Sequence, residues 1–140
     1  MEGILFLCVA NSARSQIAEG IARSLAPPEI KVWSAGSRPT SVRPEAIAVL
    51  NEIGIDISQH RSKLVDEIPA GEVDTVITLC GEEECPLFLG KATRLHWGLP
   101  DPAAVAGSGE ERLAAFRGTR DELRRRIEAL LAGNDEGDRS

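Results

Sequence analysis

A cysteine and an arginine, with five residues between them, lie at the first turn of the chain. Cys8 follows the apolar run 4–7, and Arg14 begins a segment with helical periodicity. A loop of this length can curl until its backbone N–H groups converge on one point and bind a tetrahedral oxyanion. The helix N terminus adds positive potential, and the Arg14 guanidinium offers a rigid fork of donors for two anion oxygens. The predicted oxyanion-binding residues, besides Arg14, are Val9, Ala10, Asn11, Ser12 and Ala13.

These surroundings predict a reactive thiolate at Cys8. A free cysteine thiol has a pKa of about 8.5 and is mostly protonated at neutral pH, whereas a positive potential favours the thiolate. The hydroxyl group of Ser15 can donate a hydrogen bond to the same sulfur. The spacing therefore indicates attack of sulfur on a bound phosphate-like anion. The alternative is a buried structural cysteine followed by an incidental arginine.

The elements that must position this loop alternate between strands and helices. Apolar runs predict strands at 4–8, 30–34, 73–79 and 93–97, and helical periodicity occurs within 15–25, 43–54 and 113–130. This alternation predicts one α/β domain with a parallel sheet and right-handed crossovers. We place the domain at residues 1–133 and expect 134–140 to form a flexible tail.

The composition and the net charge of the chain exclude several classes of protein. In 140 residues, 16 basic and 22 acidic side chains give a net charge of −6, which argues against a general nucleic-acid binder. No apolar run reaches the roughly 18 residues of a membrane span, and the start lacks the basic head of a signal peptide. Three cysteines without an export signal favour reduced, reactive thiols over a disulfide framework. We therefore expect a cytoplasmic protein with no membrane or nucleic-acid partner, and a monomer.

Several separate motifs follow one another along the chain. They are CVANSARSQIAEG from residue 8, SAG from 34, PEA from 44, IGIDIS from 53, HRSK from 60, TLC from 78 and HWGLPDPA from 96. In this order they resemble the low-molecular-weight tyrosine phosphatase family in its thioredoxin-coupled arsenate reductase branch. The resemblance implies a four-stranded parallel sheet with strand order 2-1-3-4, flanked by helices.

In that strand order the first and third strands are neighbours, and Cys8 and Cys80 end them. Adjacent strands lie about 4.8 Å apart, and a disulfide tolerates Cα separations up to about 6.8 Å. Cys80 is therefore placed to attack a group bonded to Cys8. Five helical residues rise about 7.5 Å, so a bond between Cys80 and Cys85 requires the segment between them to unwind. We expect a redox-coupled change of order in residues 80–90.

The resemblance also implies a reaction sequence. Cys8 attacks arsenate, Cys80 attacks Cys8 as arsenite leaves, and Cys85 resolves that bond into a Cys80–Cys85 disulfide that thioredoxin reduces. Asp101, held between two prolines, matches the family's general acid; the alternative is a simple turn former. The expected ligand is arsenate or a similar oxyanion such as phosphate or sulfate, and weak phosphatase activity is an expected side reaction.

Many family members bind potassium beside the loop, with residues that match Asn11, Glu19, Ser34 and an acidic residue. This sequence has Lys63 at the acidic position. A lysine ammonium can replace the ion and pair with Glu19, so we expect no potassium dependence, no metal and no cofactor. The alternative is a solvated Lys63.

Other functions compete with arsenate reduction. A phosphatase would use the same loop, although the tyrosines that commonly wall the phosphatase pocket are missing, since the chain contains none. A non-catalytic oxyanion or redox sensor could signal through its thiols. Cys80 and Cys85 could also fill core and surface, or hold structural zinc with His96, although this spacing is poor for zinc. His60 and His96 are predicted to be hydrogen-bonded structural residues.

Overall fold

The computed structural model describes residues 1–81, 86, 88, 90–133 and 138–139. Four parallel strands form the sheet, and a short fifth strand extends it at one edge. The strands are β1 (Gly3–Leu7), β2 (Lys31–Ala35), β3 (Thr75–Thr78), β4 (Thr93–His96) and β5 (Asp138–Arg139).

The sheet order is β2-β1-β3-β4-β5, with β5 antiparallel to β4. The expected order 2-1-3-4 of the parallel strands is confirmed, and β5 is an addition that the sequence analysis did not include. It lies in the segment expected to be a flexible tail, and the rest of that segment, 134–137 and 140, lies outside the described residues.

Three α-helices connect or follow the strands. They are α1 (Arg14–Leu25), α2 (Pro44–Asn51) and α3 (Gly109–Leu131), and short 3-10 turns occur at Val65–Glu67, Ala70–Glu72 and Pro102–Ala104. Proline at the first position of α2 suits a helix start, because its missing N–H would have no partner there. Ser108 caps α3 by accepting a hydrogen bond from the Glu111 N–H at 3.2 Å.

The side chains of β1 are buried on both faces of the sheet. Ile4 and Phe6 belong to a core cluster with residues of the three helices, among them Ile17, Leu50 and Phe116. The alternate residues of β1 belong to a second cluster on the opposite face. That cluster comprises Leu5, Leu7, Ala35, Ile68, Val73, Val76 and Phe88. The strand therefore has no solvent-facing side, and its carboxyl end is rigidly placed.

Strand register brings the chemistry-bearing loops to one edge of the sheet. Leu7 pairs with Thr78, and Thr78 pairs with His96, so β1, β3 and β4 end side by side. The chain order reverses between β1 and β3, and ligands in open α/β sheets bind outside the carboxyl ends of strands at such a point.

A charge cluster joins the end of α2 to α3. The Glu52 carboxylate accepts hydrogen bonds from Arg117 Nη2 at 2.8 Å and Arg120 Nη1 at 2.7 Å. These guanidinium groups, Arg117 foremost, lower the pKa of Glu52 to about 2, against an ordinary glutamate value of about 4.3.

Acid should remove the contribution of this cluster to stability. A lowered carboxyl pKa in the folded state stabilises the fold above the unfolded pKa, and that stabilisation is lost as pH falls from about 4.3 toward 2. We expect Glu52→Gln to melt below wild type at pH 7, and the difference to vanish by about pH 2. Glu29→Gln is the matched control, because Glu29 is exposed and makes no ion pair within the described ranges. A difference in melting temperature that is independent of pH would contradict this role.

Candidate active site

Cys8 lies at the bottom of a small cavity at the carboxyl edge of the sheet. The cavity has a volume of about 210 Å³, and the Cys8 thiol above β1 is only 2% exposed. Cys8 is a free cysteine. The other lining residues are Val9, Ala10, Ser12, Ala13, Arg14 and Asp101. The cavity is therefore formed almost entirely by the segment 8–14 that the sequence singled out, with Asp101 facing it from the β4 side.

The carbonyl groups of the loop point away from this cavity. Arg38 N–H donates to Val9 O at 2.9 Å, Thr40 N–H to Ala10 O at 3.2 Å, and Arg43 N–H to Ser12 O at 2.9 Å. A planar trans peptide has its C=O and N–H on opposite sides, so the N–H groups of residues 10, 11 and 13 point away from these three partners, none of which lines the cavity. Convergent N–H groups of this kind form an oxyanion nest.

Ser15 is hydrogen-bonded to the Cys8 sulfur. The Ser15 Oγ lies 2.9 Å from Cys8 Sγ, and it accepts a hydrogen bond from Asn11 Nδ2 at 2.7 Å. Since Asn11 supplies the hydrogen of that second bond, the hydroxyl hydrogen of Ser15 is available to the sulfur. This hydrogen bond is the contact that the sequence analysis expected between Ser15 and Cys8.

Arg14 is held in the cavity lining by backbone carbonyl groups from the segments that follow two other strands. The residue is 4% exposed, and its Nη1 donates to Leu99 O at 2.9 Å and to Leu79 O at 3.5 Å. Leu79 follows β3, and Leu99 follows β4. These carbonyl groups fix the plane of the guanidinium before any anion binds, which lowers the entropic cost of binding.

Asp101 faces the cavity from the loop after β4. Its Oδ1 accepts a hydrogen bond from the Ala103 N–H at 3.0 Å, which caps the short turn Pro102–Ala104. The side chain is half-buried. One oxygen therefore terminates the turn, as the turn-former alternative requires, and the residue also lines the cavity, while its role as general acid stays a prediction.

Cys80 lies at the same end of the sheet as Cys8. Leu79 N–H donates to Leu7 O at 2.9 Å, so pairing between the two strand ends continues up to the residues before the two cysteines. Cys80 is 1% exposed and disulfide-bonded, whereas Cys8 carries a free thiol. Cys85, and most of the segment 80–90 for which a change of order is expected, lie outside the described residues.

The four residues predicted to support the loop meet beneath it. Ser34 Oγ accepts from Asn11 Nδ2 at 2.9 Å and donates to Glu19 Oε1 at 2.5 Å. Lys63 Nζ lies 3.5 Å from the same carboxylate oxygen, and Arg23 Nε lies 2.9 Å from the other. The Glu19 side chain is 3% exposed, so its buried charge is balanced by these two cations.

The described residues contain neither a group of metal ligands nor a membrane-spanning helix. Among the described residues, no group of three or more His, Cys, Asp or Glu side chains could hold a metal ion. His96, which the sequence analysis considered as a possible zinc ligand, is hydrogen-bonded through Nδ1 to Thr78 Oγ1 at 2.7 Å. No helix in the described part of the chain has the length and apolar character of a membrane span.

A family model described as low molecular weight phosphotyrosine protein phosphatase matches residues 3–138. The chain belongs to this family. The resemblance drawn from the motifs is confirmed, and the segment from Cys8 to Arg14 lies within the matched range.

Relatives within the family carry the name arsenate reductase. One from Halalkalibacterium halodurans is 43% identical over 129 residues, which is 91% of this chain and 93% of that protein. A solved arsenate reductase in the phosphate-binding state is 36% identical, with a TM-score of 0.80 over 96% of this chain and 100% of that one. A thioredoxin-dependent arsenate reductase from Corynebacterium glutamicum is 30% identical, with a TM-score of 0.61 over 93% of this chain and 63% of that one.

Some contributors to this family site were not found from the sequence. Gln16 is fully buried beneath the loop, and His60 Nδ1 lies 3.0 Å from Gln16 Oε1. Burial lowers the pKa of His60, and the Glu19 charge opposes that shift. Gly36 lies so close to the loop that a Cβ there would be 2.3 Å from Val9 O. A glutamine in a first helical turn usually faces solvent, so its residue type did not predict that Gln16 is buried. The one signal in the sequence was its position directly after Ser15.

Proposed function

We propose that this protein reduces arsenate to arsenite through a cascade of its three cysteines, which thioredoxin resets. The observation that carries the proposal is the second cysteine, Cys80, at the end of the strand next to that of Cys8. A phosphatase of this family needs only the Cys8 loop. A reductase also needs a second thiol that forms a disulfide with Cys8, because that step supplies the two electrons that arsenic gains. Relatives named arsenate reductase over nine-tenths of the chain support this choice.

The first step is attack of the Cys8 thiolate on arsenate held in the oxyanion nest. The N–H groups of the loop and the Arg14 guanidinium neutralise the charge on the arsenate oxygens. A sulfur–arsenic bond forms and one oxygen leaves. Asp101 is positioned to protonate that oxygen as a general acid, so that it departs as water.

The second step moves two electrons to arsenic. The Cys80 thiolate attacks Cys8 Sγ, a sulfur–sulfur bond forms, and the sulfur–arsenic bond breaks with its electron pair remaining on arsenic. Arsenic(V) becomes arsenic(III), two thiols become one disulfide, and arsenite leaves. One cysteine alone cannot form this disulfide, so it cannot supply the two electrons that reduce arsenic.

The third step returns Cys8 to the free thiol. Cys85 attacks Cys80 and forms a Cys80–Cys85 disulfide, which a dithiol such as thioredoxin reduces by exchange. The free thiol of Cys8 beside a disulfide-bonded Cys80 is the bonding state that this step would leave. The Corynebacterium glutamicum relative described as thioredoxin-dependent supports the choice of reductant.

The reaction can be tested on the wild-type protein with thioredoxin, thioredoxin reductase and NADPH. We expect NADPH oxidation that depends on arsenate, and only weak hydrolysis of p-nitrophenyl phosphate. The opposite pattern, vigorous phosphate-ester hydrolysis without arsenate-dependent oxidation, would identify a phosphatase. No turnover of either substrate, with glutaredoxin and mycothiol systems also tried, would favour a sensor.

Lys63 is proposed to take the place of a potassium ion beneath the loop. Its ammonium lies 3.5 Å from the buried Glu19 carboxylate, where a monovalent cation would otherwise balance the charge. We expect potassium chloride and sodium chloride at equal ionic strength to give the same melting temperature and the same arsenate turnover. A gain in either quantity that is specific to potassium would contradict the substitution.

A further inference from the structure

Gln16 is a buried polar side chain that the proposed chemistry does not use. It lies in the first turn of α1 and has no exposed surface. Burying an amide without hydrogen bonds is costly, and here all the partners belong to or border the oxyanion loop.

The orientation of the Gln16 amide follows from its neighbours. Nε2 lies 3.0 Å from Asn11 Oδ1, 3.2 Å from Asn11 O and 3.0 Å from Arg61 O. Asn11 Oδ1 is itself identified as an oxygen because it accepts the Lys63 backbone N–H at 2.8 Å. All three partners are acceptors, so the amide nitrogen must face them. Gln16 Oε1 then faces His60 Nδ1 at 3.0 Å, and that ring nitrogen must carry the hydrogen.

Asn11 needs this external support. Its φ is +49°, and among the described residues it is the only one other than glycine with a positive φ. Such a backbone persists where surrounding contacts fix it. Gln16 bonds both the backbone and the side-chain oxygen of Asn11, and Ser62 Oγ donates to the backbone oxygen at 2.7 Å.

Asn11 in turn connects to the nucleophile. Its Nδ2 donates to Ser15 Oγ at 2.7 Å, and Ser15 Oγ lies 2.9 Å from Cys8 Sγ. A continuous chain of hydrogen bonds therefore runs from Gln16 through Asn11 and Ser15 to the sulfur. The same Asn11 lies in the middle of the segment 8–14, whose other residues line the cavity.

We propose that Gln16 is a positioning residue that holds Asn11 in its left-handed conformation, and so sets both the oxyanion nest and the hydrogen bond to Cys8. The inference rests on the proposed function only in taking Cys8 as the nucleophile. His60 has the supporting part of keeping the Gln16 amide in one orientation.

The decisive variant is Gln16→Met, which keeps the volume and removes the hydrogen bonds. We expect phosphate to bind about tenfold more weakly or worse by calorimetry. We also expect slower alkylation of Cys8 by iodoacetamide near neutral pH, because Asn11 no longer holds Ser15 Oγ against the sulfur. Gln59→Met, at an exposed glutamine nearby, is the control and should match wild type in both measurements. Equal phosphate affinity and alkylation rates in Gln16→Met and wild type would overturn the proposal.

Gln16→Glu separates the two ends of the amide. It keeps an acceptor for His60 but loses the donor to Asn11, so it should weaken phosphate binding as much as Gln16→Met does. A Gln16→Glu protein with wild-type phosphate affinity would show that the bonds to Asn11 are not required.

Wild-type protein gives an independent test that no folding defect can obscure. Nitrogen-15 NMR of the neutral imidazole of His60 should show the tautomer with hydrogen on Nδ1. Hydrogen on Nε2 would mean that the Gln16 amide is reversed and does not donate to Asn11. These measurements involve no arsenate. A negative result in them would overturn the role of Gln16 and leave the proposed reductase activity standing, and a negative reductase assay would leave the role of Gln16 standing.

Discussion

Serine at position 80 should reduce thioredoxin-coupled arsenate turnover by about a thousandfold or more. A hydroxyl group cannot form the disulfide whose formation leaves two electrons on arsenic, so the reaction stops at the sulfur–arsenic adduct. Cys80→Ser should still bind phosphate normally, because Cys80 is not among the residues that line the oxyanion cavity. Turnover is measured as arsenate-dependent NADPH oxidation, and phosphate binding by calorimetry.

The pairing of these two measurements makes the prediction specific. Loss of turnover together with loss of phosphate binding would indicate a damaged loop and not only a missing second thiol. Turnover of Cys80→Ser within tenfold of wild type would show that arsenic is reduced without the Cys8–Cys80 disulfide, and the cascade would be wrong.

Lysine in place of Arg14 should lower kcat/KM for arsenate by about a hundredfold to a thousandfold. The charge is retained, but an ammonium cannot bind two anion oxygens in a plane while also donating to the carbonyl groups of Leu79 and Leu99. The variant should therefore lose phosphate affinity as well as kcat. Steady-state kinetics and phosphate inhibition measure the two effects.

Arg38 provides the matched control for Arg14. Its side chain is exposed, and its contact with the loop is made by the backbone N–H to Val9 O, which substitution leaves in place. Arg38→Lys should have nearly wild-type kinetics. If Arg14→Lys also keeps wild-type kcat/KM, the anion is not held by the guanidinium fork.

Local patterns were sufficient to predict the loop and the elements on either side of it. The buried strand before Cys8, the five-residue spacing to Arg14 and the helical period after it are all encoded within about twenty neighbouring residues. The position of Cys80 beside the loop depended on strand order, which came from the family resemblance and is confirmed by the sheet. Asp101 followed from the same resemblance.

Contacts between distant segments could not be predicted in this way. The anchors of Arg14 are backbone carbonyl groups of Leu79 and Leu99, and a carbonyl group has no signature in the sequence. The close approach of Gly36 to Val9 O depends on how two loops pack, as does the burial of Gln16. The strand β5 forms with only two residues, too few for an alternating pattern to appear.

The attack of Cys80 on the sulfur–arsenic adduct of Cys8 can be trapped in a single turnover of fully reduced Cys85→Ser. Without Cys85 the cascade should stop after arsenite release, with Cys8 and Cys80 joined. Acid quenching and peptide mapping by mass spectrometry should then find one Cys8–Cys80 disulfide for each arsenite formed. Arsenite released while both thiols remain open to alkylation would contradict the account.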